Sequence, residues 1–310
     1  MRVFVAGASG VIGVPLVRQL VAAGHDVTGT TSKPENAPRI EAAGAAPVVC
    51  DALDPQAVQA AVRDAAPEVA ISQLTRLPSE YNPRKIDYGP TNRARAEGGH
   101  NLIEAARAAG VKRLITQSVA FLYAPEGEMV KDEDARPWAD APEPFRAGAD
   151  STLEHEREAT NTAGLEGIVL RYGQFYGPGT YYAPDGNIAE QVRRRRFPIV
   201  GRGQGMFSFI DTEDAAAATV ASLDRGAPGI YNVVDDEPAP LREWLPVYAE
   251  ALGARRPRRV PTLLARLVAG RFAVAFATEL RGASNAKAKR ELGWQPRYPS
   301  WRQGFRETLG

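Results

Sequence analysis

The sequence predicts an α/β fold, a doubly wound parallel sheet with helices on both faces. Three observations carry that expectation. Short runs of Val, Ile and Thr alternate with Ala-rich runs of helical length over the first two thirds of the chain, the rhythm of successive βαβ units. A glycine-rich turn directly follows the first of those runs. The chain has 310 residues, 44% of them hydrophobic, enough to bury one large core or two joined ones.

Arg2–Ala6 reads as a buried strand and residues 11–23 as the first helix, stopped by Gly24. Between them lies Gly7-Ala8-Ser9-Gly10-Val11-Ile12-Gly13. In such a turn Gly7 permits the tight reversal, Gly10 lets a pyrophosphate approach the backbone, and Gly13 lets helix and strand pack closely. The helix N-terminus adds N–H donors and a positive dipole. Ser9, Val11 and Ile12 complete the expected cradle. This arrangement predicts a Rossmann-type dinucleotide site.

Residues 26–30 form the second expected strand and 45–50 the third, followed by a helix over Pro55–Ala65. Residues 69–74 are a fourth strand, 92–109 a long helix stopped by Gly110, 113–117 a fifth strand and 167–170 a sixth. Beyond Tyr172 the composition changes. Gly, Pro and aromatic residues dominate from 176 to 209, and helical character returns after Leu241. Residues 1–172 are therefore expected to form the dinucleotide-binding domain, with 208–236 returning to it. Residues 173–207 and 237–310 are expected to form a smaller, interleaved substrate domain.

Ligands of such sheets bind beyond the carboxyl ends of the strands. Asp51 and Ala52, Gln73, Leu74 and Thr75, and Gln117, Tyr172 and Gly173 are the further expected cofactor contacts. An acidic residue at the end of the second strand would accept from the ribose 2′-hydroxyl and select NAD. Here the strand ends Thr30-Thr31-Ser32-Lys33, with no carboxylate before Glu35. Ser32 can donate to a 2′-phosphate and Lys33 can pair with it, so NADP is the expected cofactor, with NAD as the alternative.

Composition excludes several classes. Lys plus Arg number 38 and Asp plus Glu 37, for a net charge of +1, so nothing global steers the chain to nucleic acid or an anionic membrane. Cys50 is the one cysteine, which precludes an internal disulfide and fits a reducing cytoplasm. The first residues lack the pattern of a secretory signal. The apolar stretch 263–280 carries Arg266 and Arg271, which argues against a membrane span. His25, His100 and His155 are scattered and form no metal-ligand spacing. A homodimer is compatible with the composition.

The spacing G-x-x-G-x-x-G resembles that of the short-chain dehydrogenase/reductase superfamily, its extended branch in particular. Other segments share the resemblance: 101–106 (NLIEAA) with 110–113 (GVKR), 170–179 (LRYGQFYGPG), Phe209-Ile210 with Asp214-Ala215-Ala216, and 289–294 (KRELGW). It implies that Asp51 lies at the adenine. It also implies a catalytic Tyr and Lys at i and i+4 on the helix after the fifth strand, the Lys lowering the Tyr pKa for proton exchange with substrate oxygen.

This chain departs from that pattern. The expected helix reads Ala149-Asp150-Ser151-Thr152-Leu153-Glu154-His155, and no Lys occurs between Lys131 and Lys287. If Tyr123 matches the Tyr of the family's VYG turn, the usual Ser/Thr position is Val119. Ser118 then sits one residue early and points the opposite way on an extended segment. Tyr81 and Lys85 have the right spacing but flank Pro83, which fits only the first turn of a helix. The remaining donors near the fifth strand are Gln117, Ser118 and Tyr123, with Ser118 and Tyr123 the expected catalytic hydroxyls. The alternatives are a packing tyrosine and a serine that fixes the strand end. His155 is expected to be a surface histidine on a charged helix.

Relatives that act on nucleotide sugars hold the diphosphate with an Arg, and the matching position here is Phe207. The run 193–196 (RRRR) fans around a helix, so only part of it could face one ligand. Arg76, Tyr81, Tyr176, Tyr181, Tyr182 and Phe207 are the expected substrate-pocket residues, the aromatics among them serving either the pocket or the small domain's core. The sequence thus points to an atypical NADP-dependent oxidoreductase acting on a carbonyl or activated alkene of a small aromatic or apolar molecule. The alternatives are an epimerase or dehydratase with tightly held cofactor, and a non-catalytic NADP-binding redox sensor.

Overall fold

The computed structural model describes residues 1–78, 80, 82 and 87–309. Its central sheet has seven parallel strands: β1 (Arg2–Ala6), β2 (Asp26–Thr31), β3 (Ala46–Val49), β4 (Val69–Ser72), β5 (Arg113–Val119), β6 (Glu166–Tyr172) and β7 (Gly229–Val233). Their spatial order is β7-β6-β5-β4-β1-β2-β3. The register sets Val3 beside Val27 on one side and beside Val69 on the other. The six expected strands are all present. β7 carries no such signal, because Gly229 and Asn232 interrupt its apolar run; pairing along β6 supplies its order.

The helices are α1 (Gly13–Ala22), α2 (Ala37–Ala42), α3 (Pro55–Ala65), α4 (Gly89–Arg93), α5 (Gly99–Ala108), α6 (Phe145–Asn161), α7 (Asn187–Arg193), α8 (Thr212–Ala221), α9 (Leu241–Ala251), α10 (Thr262–Thr278), α11 (Ala286–Glu291) and α12 (Trp301–Leu309). Local chemistry sets their ends. Asp54 caps α3 by accepting from the Gln56 and Ala57 amides, with Pro55 in the first turn. Asp211 caps α8 through the Glu213 amide. The single long helix expected over 92–109 is instead α4 and α5 joined by a π-helical turn, Ala94–Gly98. Such a turn inserts extra backbone into an otherwise α-helical run, and Gly98 and Gly99 carry no side chain to oppose it.

Strand side chains alternate between faces, and the two faces bury different sets. Val3, Val5, Ile71, Ile115 and Ile168 pack with Leu16, Val17 and Leu20 of α1 and Ala215 and Ala218 of α8. Phe4, Ala70, Leu114 and Val169 pack with Val58 and Val62 of α3 and Leu102 and Ile103 of α5. A separate aromatic core joins Tyr176, Phe209, Trp244, Tyr248, Trp301 and Phe305. Each such buried side chain stabilises by roughly 1.5–3 kcal/mol relative to exposure.

The chain winds from β1 outward through β2 and β3, then crosses back to place β4 on the other side of β1. A crevice opens where the order reverses, beyond the carboxyl ends of β1 and β4. α10 contains Gly270 at φ 86°, which breaks it. Among the described residues no helix is long and apolar enough to cross a membrane, and no group of three His, Cys, Asp or Glu side chains could hold a metal ion.

Candidate active site

A cleft of about 790 Å³ runs along the carboxyl edge of the sheet. Its first end is the glycine turn, where Gly7, Ser9 and Gly10 through Gly13 all line it. Gly7 has φ 84°, and a Cβ there would lie 2.7 Å from the Gln73 carbonyl oxygen, so both the turn and the close approach demand glycine. A Cβ on Gly13 would lie 2.3 Å from the Gly7 oxygen. No side chain caps the N-terminus of α1, which leaves its first-turn amides and dipole directed at the cleft. These residues fit a dinucleotide pyrophosphate.

The neighbouring strand ends supply the rest of that half. The Ser9 hydroxyl donates to Thr31 Oγ1 at 3.0 Å and ties the turn to β2. Ser32 and Lys33 line the cleft beyond it. Asp51 Oδ1 accepts from the Leu53 amide at 3.1 Å, and the Ala52 carbonyl accepts from Asn101 Nδ2 at 2.9 Å. Gln73, Leu74, Thr75, Gln117 and Gly173 also line the cleft. Gln117 Nε2 donates to the Leu74 carbonyl at 2.7 Å. Tyr172 is a correction: it is fully buried and does not line the cleft. Its hydroxyl receives Gln73 Nε2 at 3.2 Å and pairs with Thr219 at 2.7 Å, so it orients Gln73 from behind.

At the second end the helix α6 presents Gly148, Ala149 and Thr152 to the cleft. Gly148 and Thr152 have the i, i+4 spacing that one helix face requires, but no phenol or ammonium stands at either position. Val119, Phe121, Phe145, Phe207 and Phe276 make this end apolar. Tyr181 and Tyr182 line it, and the Tyr181 hydroxyl donates to the Pro78 carbonyl. Arg76 lines the cleft from an exposed position. Tyr176 is another correction: it is fully buried against Phe305 at 5.2 Å and belongs to the aromatic core. Tyr81, and with it the Tyr81/Lys85 pair, lies outside the described residues. The run 193–196 does not line the cleft.

The expected hydroxyl donors Ser118 and Tyr123 do not line the cleft either; each is 1% exposed. Along β5, Gln117 and Val119 face the cleft, so the alternation turns Ser118 toward α6, where it donates to Glu156. Glu156 in turn holds Arg171 through bonds of 2.8 and 2.6 Å. Arg171 Nη1 donates to the Tyr123 hydroxyl at 3.1 Å, and that hydroxyl donates to Asn232 Oδ1 at 2.6 Å. Burial pushes the Tyr123 phenol up to about 12, although Arg171 draws it down. This is a buried polar strut joining β5, α6, β6 and β7, in which Ser118, Glu156, Arg171 and the Tyr123 hydroxyl are all paired within the protein.

His155 is a further correction, since it is 4% exposed rather than on the surface. Its Nε2 pairs with Thr116 Oγ1 at 2.7 Å, and a Cβ on Gly99 would lie 2.3 Å from its ring. Burial drives the imidazole down from 6.5 to about 4, with Arg95 acting in the same direction. A depressed folded-state pKa means stability is full above the unfolded value and is lost as pH falls toward the folded one. Acidifying from pH 7 to pH 5 should therefore cost roughly 2 kcal/mol through this residue alone. In urea unfolding, His155→Gln should flatten that part of the pH profile; an unchanged slope would contradict the assignment.

Among the cleft residues that sequence reasoning missed are Tyr88, Asn92, Arg95, Phe121, Phe145, Gly148, Thr152 and Phe276. They come from the helical run after β4, the loop after β5, α6 and α10, whose cleft-facing sides no motif marks.

Comparison with known proteins agrees with this geometry. The family model described as NAD dependent epimerase/dehydratase family matches residues 3–233. A Streptomyces protein named 3-diazoavenalumate denitrifying reductase is 45% identical over 305 residues, covering 98% of this chain and 99% of that protein. The UDP-glucose 4-epimerase of Thermus thermophilus, solved with NAD, is 27% identical with a TM-score of 0.72 over 100% of this chain and 98% of its own. A human epimerase family protein solved with NADPH shares the fold at a TM-score of 0.76 and 21% identity, over 100% and 99% of the two chains.

Proposed function

Because this chain belongs to the NAD-dependent epimerase/dehydratase family, we propose that its cleft binds NADPH and reduces a small aromatic electrophile, an aryl diazo compound that loses dinitrogen. Oxidoreductase chemistry with NAD(P) follows from the family and from the reductase relative; the substrate class is the finer step. One observation carries it: α6, the helix after β5, turns the i, i+4 pair Gly148 and Thr152 to the cleft, and neither is the phenol or the ammonium that the family resemblance implies on that helix. Reduction of a carbonyl needs a proton for the oxygen. Replacement of dinitrogen at a ring carbon needs none, since the new C–H bond forms with the hydride pair and the C–N pair leaves with N₂.

When bound, NADPH supplies that hydride. The protein's own part is positioning and exclusion of water. The glycine turn and the α1 amides hold the pyrophosphate, and Gln117 of β5 and Gly173 after β6 line the cleft further along the sheet. Phe121, Phe207 and Phe276 give the ring an apolar wall. Ser32 and Lys33 after β2, which line the cleft with no carboxylate between Thr30 and Glu35, support NADP over NAD. Lys33→Ala should narrow the NADPH preference by roughly 1–3 kcal/mol, read by titration with both cofactors.

A carbonyl or activated alkene is the second reading, favoured by the hydroxyls of Tyr88 and Tyr181 in the cleft wall. An epimerase or dehydratase reaction is disfavoured by Phe207 in place of an anion clamp. Carbon-4-deuterated NADPH distinguishes them. The expected result with an arenediazonium carboxylate is N₂ release above the protein-free rate, with deuterium on the carbon that bore nitrogen. No acceleration with that probe, together with turnover of an aryl ketone or enone, would replace the first reading with the second.

A further inference from the structure

Among the described residues, Arg95 lines the cleft without an ion-pair partner. It stands on the π-helical turn between α4 and α5 and lines the cleft beside Tyr88 and Thr152. Its Nη1 reaches Thr152 Oγ1 at 3.4 Å, a weak bond, and its Nε is buried with no partner. Glu156 attracts it electrostatically but is already committed to Arg171 and Ser118. Tyr88 and His155 are the other titratable groups that act on it, and neither is a carboxylate. None of the residues outside the described set carries an acidic side chain.

An apolar wall lies along α6 and α10, and Asp185 lines the cleft from an exposed position without pairing with Arg95. Thr152 follows Phe145 by two turns of α6, Phe145 packs on Phe276, and Phe276 packs on Phe207. Burial lowers the Arg95 guanidinium to about 10, the mark of a cation that the protein itself leaves under-compensated. Arg76, the other arginine of the cleft wall among the described residues, is exposed. Lys33 belongs to the end of β2, three strands from β5 in the sheet order, roughly 14 Å away. A planar guanidinium with a free edge in an apolar pocket matches a carboxylate carried on an aromatic ring.

We infer that Arg95 is the anchor for a substrate carboxylate, and that the cleft selects small aromatic acids over their neutral analogues. The word substrate rests on the reductase reading above; the binding claim is tested apart from it. Protein saturated with NADP⁺ is titrated by calorimetry with trans-cinnamate and with trans-cinnamamide, which differ only in charge at the anchor. Cinnamate should bind about ten- to a hundredfold more tightly. Arg95→Gln should erase that advantage while leaving cinnamamide and NADP⁺ affinities in place, and Arg95→Lys should keep part of it.

Equal affinity of the two probes for the unaltered protein, or no binding of either at millimolar concentration, overturns the inference. So does a fall in NADP⁺ affinity with Arg95→Gln as large as that with Lys33→Ala, since Arg95 would then serve the cofactor. If the glutamine variant does not fold, the lysine variant and the unaltered protein carry the comparison. Discrimination for cinnamate without reduction of any diazo compound would uphold the anchor and remove only the proposed reaction.

Discussion

Gly10→Asp is expected to abolish NADPH binding, with at least about a hundredfold loss of affinity, in a protein that still folds. The separation of the two effects follows from where a side chain would go. A Cβ on Gly10 meets only the Gly7 carbonyl oxygen, at 3.2 Å, and the residue needs no left-handed backbone. The substitution is therefore tolerated by the fold. The new carboxylate, however, stands among the uncapped amides of α1, accepts from them as an N-cap would, and repels the pyrophosphate from its own site. Gly13→Ala is the contrasting case. Its Cβ would lie 2.3 Å from the Gly7 oxygen and 2.6 Å from Ala8 backbone atoms, so it should lower Tm before it touches affinity in any specific way. Calorimetry and thermal unfolding on both variants check the pair. Unchanged affinity in Gly10→Asp would remove the glycine turn from the cofactor site.

The contrast between those glycines marks what can be read from sequence. A turn that needs backbone approach at fixed intervals leaves glycines at those intervals, and short continuous apolar runs such as Arg2–Ala6 mark strands buried on both faces. The glycine-turn end of the cleft is built from such local signals, at or near strand ends, and that is why Ser9, Lys33, Asp51 and Gln117 could be placed on its lining from sequence. The other end is not local. Arg95, Thr152 and Phe276 lie on three helical segments far apart in the chain, and only packing brings them to one wall. Polarity also misleads when a group is buried with partners. Ser118 and Tyr123 have the residue types of proton donors, yet one step of strand alternation and one arginine commit them to the interior. His155 sits in a charged helix but on its inward face, against Gly99.

Arg171→Met should cost the fold roughly 3–5 kcal/mol, or about 10 °C in Tm, which tests the claim that the polar strut is structural. The Arg171 and Glu156 side chains are only 4% and 3% exposed. Deleting the arginine leaves the Glu156 carboxylate buried with the Ser118 hydroxyl as its remaining partner, and also removes the cation that packs over the Tyr123 ring at 5.2 Å. An uncompensated buried charge costs far more than the pair contributes, because its desolvation is no longer offset. The double variant Arg171→Met with Glu156→Leu should therefore recover much of the loss, a non-additivity that a double-mutant cycle measures. Ser118→Ala removes one hydrogen bond and should cost about 1–2 kcal/mol; Tyr123→Phe removes two and should cost about 2–4 kcal/mol; both should leave turnover within a small factor. Should Tyr123→Phe instead retain full stability while turnover falls by about 10²–10³, the scale of a lost general acid, the phenol would act on substrate, and the strut would be part of the catalytic machinery rather than the frame behind it.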